Sequence, residues 1–221
     1  MLGEDLYMAT KKMLINAVEE EEYRIAVIKE GLLDGFYIES TTAEQKTGNI
    51  YKAVVERIEP SLQECFVDYG SDKNGFLSAN DIHPEYYLAE QEPSKEGALP
   101  PIEKTLKRGQ ELLVQVTKEM PGHKGAQLTT YLSIASRYLV LMPGSKGGVS
   151  KKIEEEDERI RLKAIMAKFK LPEGVGYIVR TAAMKQNKNE LSRDLNRLLR
   201  MWKNIKKNVK DASPFSLIHK E

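Results

Sequence analysis

IYKAVVERI (50–58), ECFVDYG (64–70), GFLSANDI (75–82), ELLVQVTKE (111–119) and GAQLTTYLSI (125–134) decide the fold, because each is a short run rich in β-branched and aromatic residues, bounded by turn formers. Together they predict five strands. The interval 83–110, which holds Pro84, Pro93, Pro100 and Pro101, is expected to be a long surface loop before the fourth strand. Five short strands with one long connection predict a small Greek-key barrel of the OB type.

Outward from this segment the pattern changes twice. Upstream, MLINAV (13–18), YRIAVI (23–28) and GFYIES (35–40) read as three further strands separated by Glu-rich and Gly-containing turns. Downstream, Leu162, Ile165, Met166 and Phe169 fall at helical spacing behind an acidic first turn (Glu154 to Glu158), which suits the positive end of a helix dipole. Pro172 and Gly174 should end that helix, and GYIVRT (176–181) reads as a buried strand. Leu191, Leu195, Leu198, Leu199, Trp202, Ile205 and Val209 then form a second helical stripe, taken as core, with no binding role for Trp202. The class is α+β.

The 221 residues suffice for one or two domains, and 41% hydrophobic with 30% charged residues is ordinary for a globular chain. No apolar run could cross a bilayer, and MLGEDLYMATKK is too acidic and broken for a signal peptide, so a cytoplasmic location is expected. One cysteine, Cys65, excludes an internal disulfide and a multi-cysteine zinc site; it reads as sheet filler. Net charge is only +1, yet 185–210 concentrates lysines and arginines against Glu190 and Asp194 alone. That segment offers a basic face. A merely solvating helix surface explains it equally well.

In 64–70, Cys65, Val67 and Tyr69 alternate with Phe66 and Asp68, so Phe66 shares a face with a carboxylate. An exposed ring there, near Lys52 and Lys124, would suit single-stranded nucleic acid, with bases stacking on rings and cations following phosphates. Ordinary core is the other reading. PGHKGAQ (121–127) and PGSKGGVSKK (143–152) are Gly–Lys turns that match no Walker-type spacing; a ligand-free turn and a flexible loop explain them as well. Arg180 and Thr181 close a strand, where a guanidinium fork beside a hydroxyl can grip one phosphate. His83, His123 and His219 are scattered, and no nucleophile motif or metal-ligand spacing is present.

KKMLINAVEEEEYRIAVI (11–28), EQKTGNIYKAVVERIEPSLQECFVDYGSDKNGFL (44–77), KGAQLTTYLSIASRYLVLMP (124–143) and LPEGVGYIVRTA (171–182), in this order, resemble the amino-terminal half of the ribonuclease E/G family. The resemblance implies an extension at 1–12 and an RNase H-like subdomain at 13–47. It further implies an S1 domain of the OB fold at 48–130, a small α/β 5′-sensor region at 131–212, and the resumption of the RNase H-like subdomain at 213–221, where it is left incomplete. Single-stranded RNA is the implied partner. Phe66 and Phe76 match the family's base-contacting aromatics, with Tyr69 close by, and Lys124 matches a basic RNA contact. Arg180 and Thr181 match the pair that holds a 5′-monophosphate, and Val140 a main-chain contact to the terminal nucleotide.

Two positions depart from the family pattern: Ser136 stands where a glycine is expected, and Lys151 where an arginine contributes. Lysine keeps the charge without the bidentate fork. The family's magnesium-binding carboxylates and zinc-linking cysteines match nothing in this chain, so no catalytic and no metal-ligating residue is assigned. Both metals are expected only in the full-length enzyme. The expected activity is RNA binding without cleavage by this chain alone, with the catalytic half as a further partner and an open strand edge among the first three strands. The alternative is an OB-fold RNA-binding protein with no nuclease role.

Overall fold

The computed structural model describes residues 11–19, 22–40, 45–88, 99–120 and 124–221. Within the expected extension, residues 1–10 lie outside this set, while Lys11 and Lys12 already belong to the first strand. That strand, β1 (Lys11–Glu19), pairs antiparallel with β2 (Glu22–Lys29), and β2 pairs with β3 (Leu32–Ser40). The three form a meander by themselves, as one of two compact units of the chain. Large apolar side chains are exposed along it, among them Ile15, Val18, Leu32 and Phe36.

The second unit, 46–221, contains the barrel. Its strands are β4 (Ile50–Glu59), β5 (Glu64–Asp68), β6 (Gly75–Ser78), β7 (Glu111–Lys118) and β8 (Gln127–Thr129), with the short helix α1 (Ile102–Thr105) between β6 and β7. The order is β4-β5-β6-β8-β7, and β7 returns to β4, closing the sheet. All contacts are antiparallel except β6 with β8, so the chain must cross over between them as a Greek-key barrel requires. Alternation does the sorting: Ala53, Val55, Cys65, Val67, Leu77, Leu112, Val114 and Leu128 point inward and are almost fully buried. Each large aliphatic side chain so buried contributes about 1.5–3 kcal/mol.

The proline-rich interval departs from the expected surface loop. Ile102, Thr105 and Leu106 are buried, with Ile102 and Leu106 in the barrel's core, so this short stretch plugs the barrel while the other described residues of 83–110 stay partly or fully exposed. Composition misleads here because prolines bracket the apolar residues that do the packing.

A second, four-stranded sheet follows, built from β9 (Ile134–Ala135), β10 (Leu139–Pro143), β11 (Gly148–Val149) and β12 (Val175–Val179) in the order β11-β12-β10-β9. Of PGSKGGVSKK only Pro143 and Gly148–Val149 enter the sheet, the rest being turn or irregular; Gly176 is required because the Ser145 carbonyl lies where its Cβ would be. Helix α2 (Glu156–Met166) buries Leu162 and Met166 and stops before Phe169, which sits in the following turn. Strand β12 is half-buried rather than buried throughout.

Helix α3 (Lys188–Asp211) buries Leu191, Leu195, Leu198 and Ile205 against this sheet, with Trp202 and Val209 partly buried beside them. Its amino end is fixed by Asn187, whose side chain accepts from the Glu190 N–H at 3.0 Å. Beyond it, β13 (Leu217–His219) pairs with β4. Part of the segment 213–221 is thereby paired with a barrel strand.

Candidate nucleic-acid interface

On the outer face of the barrel, register brings the aromatics together. Phe66 pairs directly with Phe76 across β5 and β6, and both are half-buried, so alternation has turned them away from the core that takes Cys65 and Val67. Phe66 faces outward, as its place beside Asp68 in the alternation predicts. Burial pushes the Cys65 thiol up to about 12, with the Glu64 charge adding to the effect, which leaves it an inert core group.

Beside the rings lies a cleft of about 630 Å³ lined by Glu64, Phe66, Asn74, Phe76, Met120 and Lys124, among others. Lys124 is exposed at its edge. Gly125, next to it, is held to glycine by the Asn74 carbonyl, which occupies the place of a Cβ. The glycine in this turn serves the packing of β6 against β8 rather than approach to a phosphate. His123 and Gly122 lie outside the described residues.

Two other expectations change. Tyr69 is 3% exposed and packs edge-on against Tyr51 at 5.1 Å, so its ring faces are in the core and unavailable for stacking. It still borders the neighbouring pocket, with Lys46, Ser71 and Lys124. Lys52 is bound to Glu111 at 3.0 Å and donates to the Ala212 carbonyl, which removes it from the surface. Arg57 is a residue the pattern did not disclose: it pairs with Phe66 across β4 and β5 and sets its guanidinium 4.8 Å from the ring centre. Its signal was present in the alternation of β4, but a bulge between Val55 and Arg57 shifts the register.

The second group gathers at one end of the four-stranded sheet. Strand β12 ends at Val179, paired with Leu139 at the start of β10, so Arg180 and Thr181 emerge beside the turn 136–138. Parallel pairing of Val149 with Val179 ends β11 at the same edge, and Lys151 leaves the sheet there. Arg180 is exposed and donates from its guanidinium to the Ser136 carbonyl. A guanidinium has five N–H donors, so several remain for an anion. Thr181 is exposed at the head of a 3-10 turn, Thr181–Ala183. The exposed Arg137, in the same turn as Ser136, adds a cation that the motif reading passed over.

Val140 lies within β10. The Arg180 N–H bonds the Tyr138 carbonyl, and ladder alternation then makes Val140 and Ile178 the next bonded pair. Its main chain is committed to the sheet; the half-buried side chain shares a face with Ile178.

Asp194, on α3, holds this edge together. Its carboxylate accepts from the Ser136 hydroxyl at 2.6 Å and from the N–H groups of Tyr138 and Leu139, each at 3.0 Å. Ser136, the departure from the family pattern, is therefore a member of the clamp. Nothing local in the sequence pairs residues so far apart.

Residues 133–221 match the sequence model of the Ribonuclease E/G family. The chain is 46% identical to ribonuclease E of Escherichia coli (strain K12) over 213 residues, 96% of this chain and 20% of that protein. It is 43% identical to ribonuclease G of the same strain over 197 residues, 89% of this chain and 40% of that protein. A putative ribonuclease E of Buchnera aphidicola subsp. Baizongia pistaciae is 43% identical over 213 residues, 51% of its length. The chain thus spans between about a fifth and a half of these relatives. Residues 133–221 therefore carry a domain of the Ribonuclease E/G family, and nearly the whole chain aligns with ribonucleases E and G.

Proposed function

We propose that this chain is the RNA-binding portion of an RNA-processing endoribonuclease of the ribonuclease E/G family, holding single-stranded RNA in the barrel cleft and a 5′-monophosphate at the Arg180–Thr181 edge. The observation that carries the reading is the convergence of Phe66, Phe76 and Lys124 on one cleft: two rings in register and a cation at the rim. Rings give bases a stacking surface whatever their sequence, and the lysine meets the backbone. Residues 48–130 act as the S1 domain and 131–212 as the 5′-sensor region, with Lys151 a long-range attraction to the phosphate rather than a fork. Residues 13–47 belong to an RNase H-like subdomain; the exposed apolar side chains of β1–β3 support a larger sheet or a covering layer. The protein works in the cytoplasm, and no described helix is long and apolar enough to cross a membrane.

Cleavage is assigned to the part of the enzyme outside this sequence, which is then its natural partner. Among the described residues no three His, Cys, Asp or Glu side chains come together as metal ligands.

Binding of a fluorescent single-stranded oligonucleotide, titrated with salt, tests the cleft. Phe66→Ala and Phe76→Ala should each weaken binding by about 1–3 kcal/mol with an unchanged salt slope, because stacking releases no counterions. Lys124→Ala should lower the slope by about one contact. Full affinity in folded Phe66→Ala and Phe76→Ala proteins would show that RNA does not lie in this cleft.

A further inference from the structure

The basic segment noted in the sequence becomes a specific surface on α3. Its apolar stripe is packed into the core, and the opposite side carries Arg193, Asn196, Arg200, Lys203 and Lys207, all exposed, at successive spacings of three or four residues. Four of them and Leu199 line an open groove of about 620 Å³: Arg193, Asn196, Arg200 and Lys203. Arg193 is paired with Glu190 at 3.0 Å; among the described residues Arg200, Lys203 and Lys207 are in no salt bridge. Lys206 lies aside, over the Trp202 ring.

We infer that this face of α3 is a second RNA-binding surface, taking the phosphate backbone of RNA that extends beyond the strand held by the barrel. From Arg193 to Lys207 is about 21 Å at the helical rise, and one strand of a duplex presents about six phosphates over that length. Three cations in no salt bridge, Arg200, Lys203 and Lys207, with Arg193 and Asn196 continuing the row, are complementary to such a backbone. Leu199, half-buried, is the apolar residue in the groove, whereas a protein partner is usually anchored by aromatic or aliphatic side chains in a central pocket. A membrane is disfavoured because the apolar side of the helix is already buried in the core and has nothing to insert. Arg200 and Arg193 can meet phosphates with planar forks and Asn196 with its amide. The inference rests on the reading that the chain handles RNA, but on no residue of the barrel or of the 5′-sensor edge.

The test uses two 5′-hydroxyl RNAs, one of about six nucleotides that fills only the barrel cleft and one of about thirty with a stem. An Arg200→Gln/Lys203→Gln/Lys207→Gln protein should bind the long RNA several-fold more weakly, with its log–log salt slope lowered by about two, and the short RNA as the unaltered protein does. The charge-conserving Arg200→Lys/Lys203→Arg/Lys207→Arg protein should keep the slope. An unchanged slope for the long RNA in the glutamine variant overturns the inference. So does loss of polyglutamate binding with RNA binding intact, which would assign the face to an acidic protein. Failure of the short RNA to bind the unaltered protein would instead count against the barrel cleft, while the long-RNA slope still decides the role of α3.

Discussion

Asp194 is the residue on which the turn beside Arg180 depends, because three donors from that one turn converge on its carboxylate. Tyr138 and Leu139 are buried, so removing the acceptor strands two main-chain N–H groups away from water, at about 1–3 kcal/mol each. Asp194→Ala should therefore lower stability by roughly 2 kcal/mol or more, and Asp194→Asn, which keeps one acceptor, by less. Urea unfolding of the three proteins measures this; midpoints that coincide would show that the clamp adds nothing to stability. Phe66 was legible in the sequence because a two-residue period separates the faces of a strand, whereas Phe76 was reached only through the resemblance. Tyr69 follows the inward set of that same alternation, and the core is where it lies. Asp194 was illegible, since its partners lie more than fifty residues away and a helix periodicity says nothing about what a polar side chain reaches.

Among the elements, α2 is held to the loop before α3 by one carboxylate. Glu158 accepts two bonds from the Arg161 guanidinium, at 2.6 and 2.7 Å, and one from the Lys185 N–H at 2.8 Å, while Arg161 also donates to the Gln186 carbonyl. The Arg161 bonds hold the Glu158 carboxyl at about 2, against an ordinary value of 4.5. A group whose folded pKa is depressed adds stability above its unfolded pKa and loses it as the pH falls through the folded one. The melting-temperature gap between the unaltered protein and Glu158→Gln should thus be constant above about pH 5 and close as the pH falls from 4.5 toward 2. A gap that ignores pH would show that charge plays no part. The acidic start of α2 and the stripe of α3 were readable from period and dipole alone. The plug formed by α1 and the pairing of β13 with β4 were not, because both depend on which surface a short apolar segment finds after the barrel has closed.

At the scale of the whole molecule, the aromatic-lined cleft on one sheet and the arginine–threonine edge on another belong to one compact unit. In the function proposed above, the second site reads the 5′ end of RNA engaged by the first. Competition binding of one RNA sequence bearing a 5′-phosphate, a 5′-hydroxyl or a 5′-triphosphate measures it directly, in the unaltered protein and in Arg180→Ala and Thr181→Val. Paired charge-assisted bonds to an arginine are worth about 1.5–3 kcal/mol, so the monophosphate should bind about tenfold or more tighter than the hydroxyl. The triphosphate should bind less well than the monophosphate. Arg180→Ala should bring the monophosphate and hydroxyl close to parity, and Phe66→Ala should weaken all three ligands alike. Equal affinities in the unaltered protein, or a preference that survives Arg180→Ala, would contradict the claim.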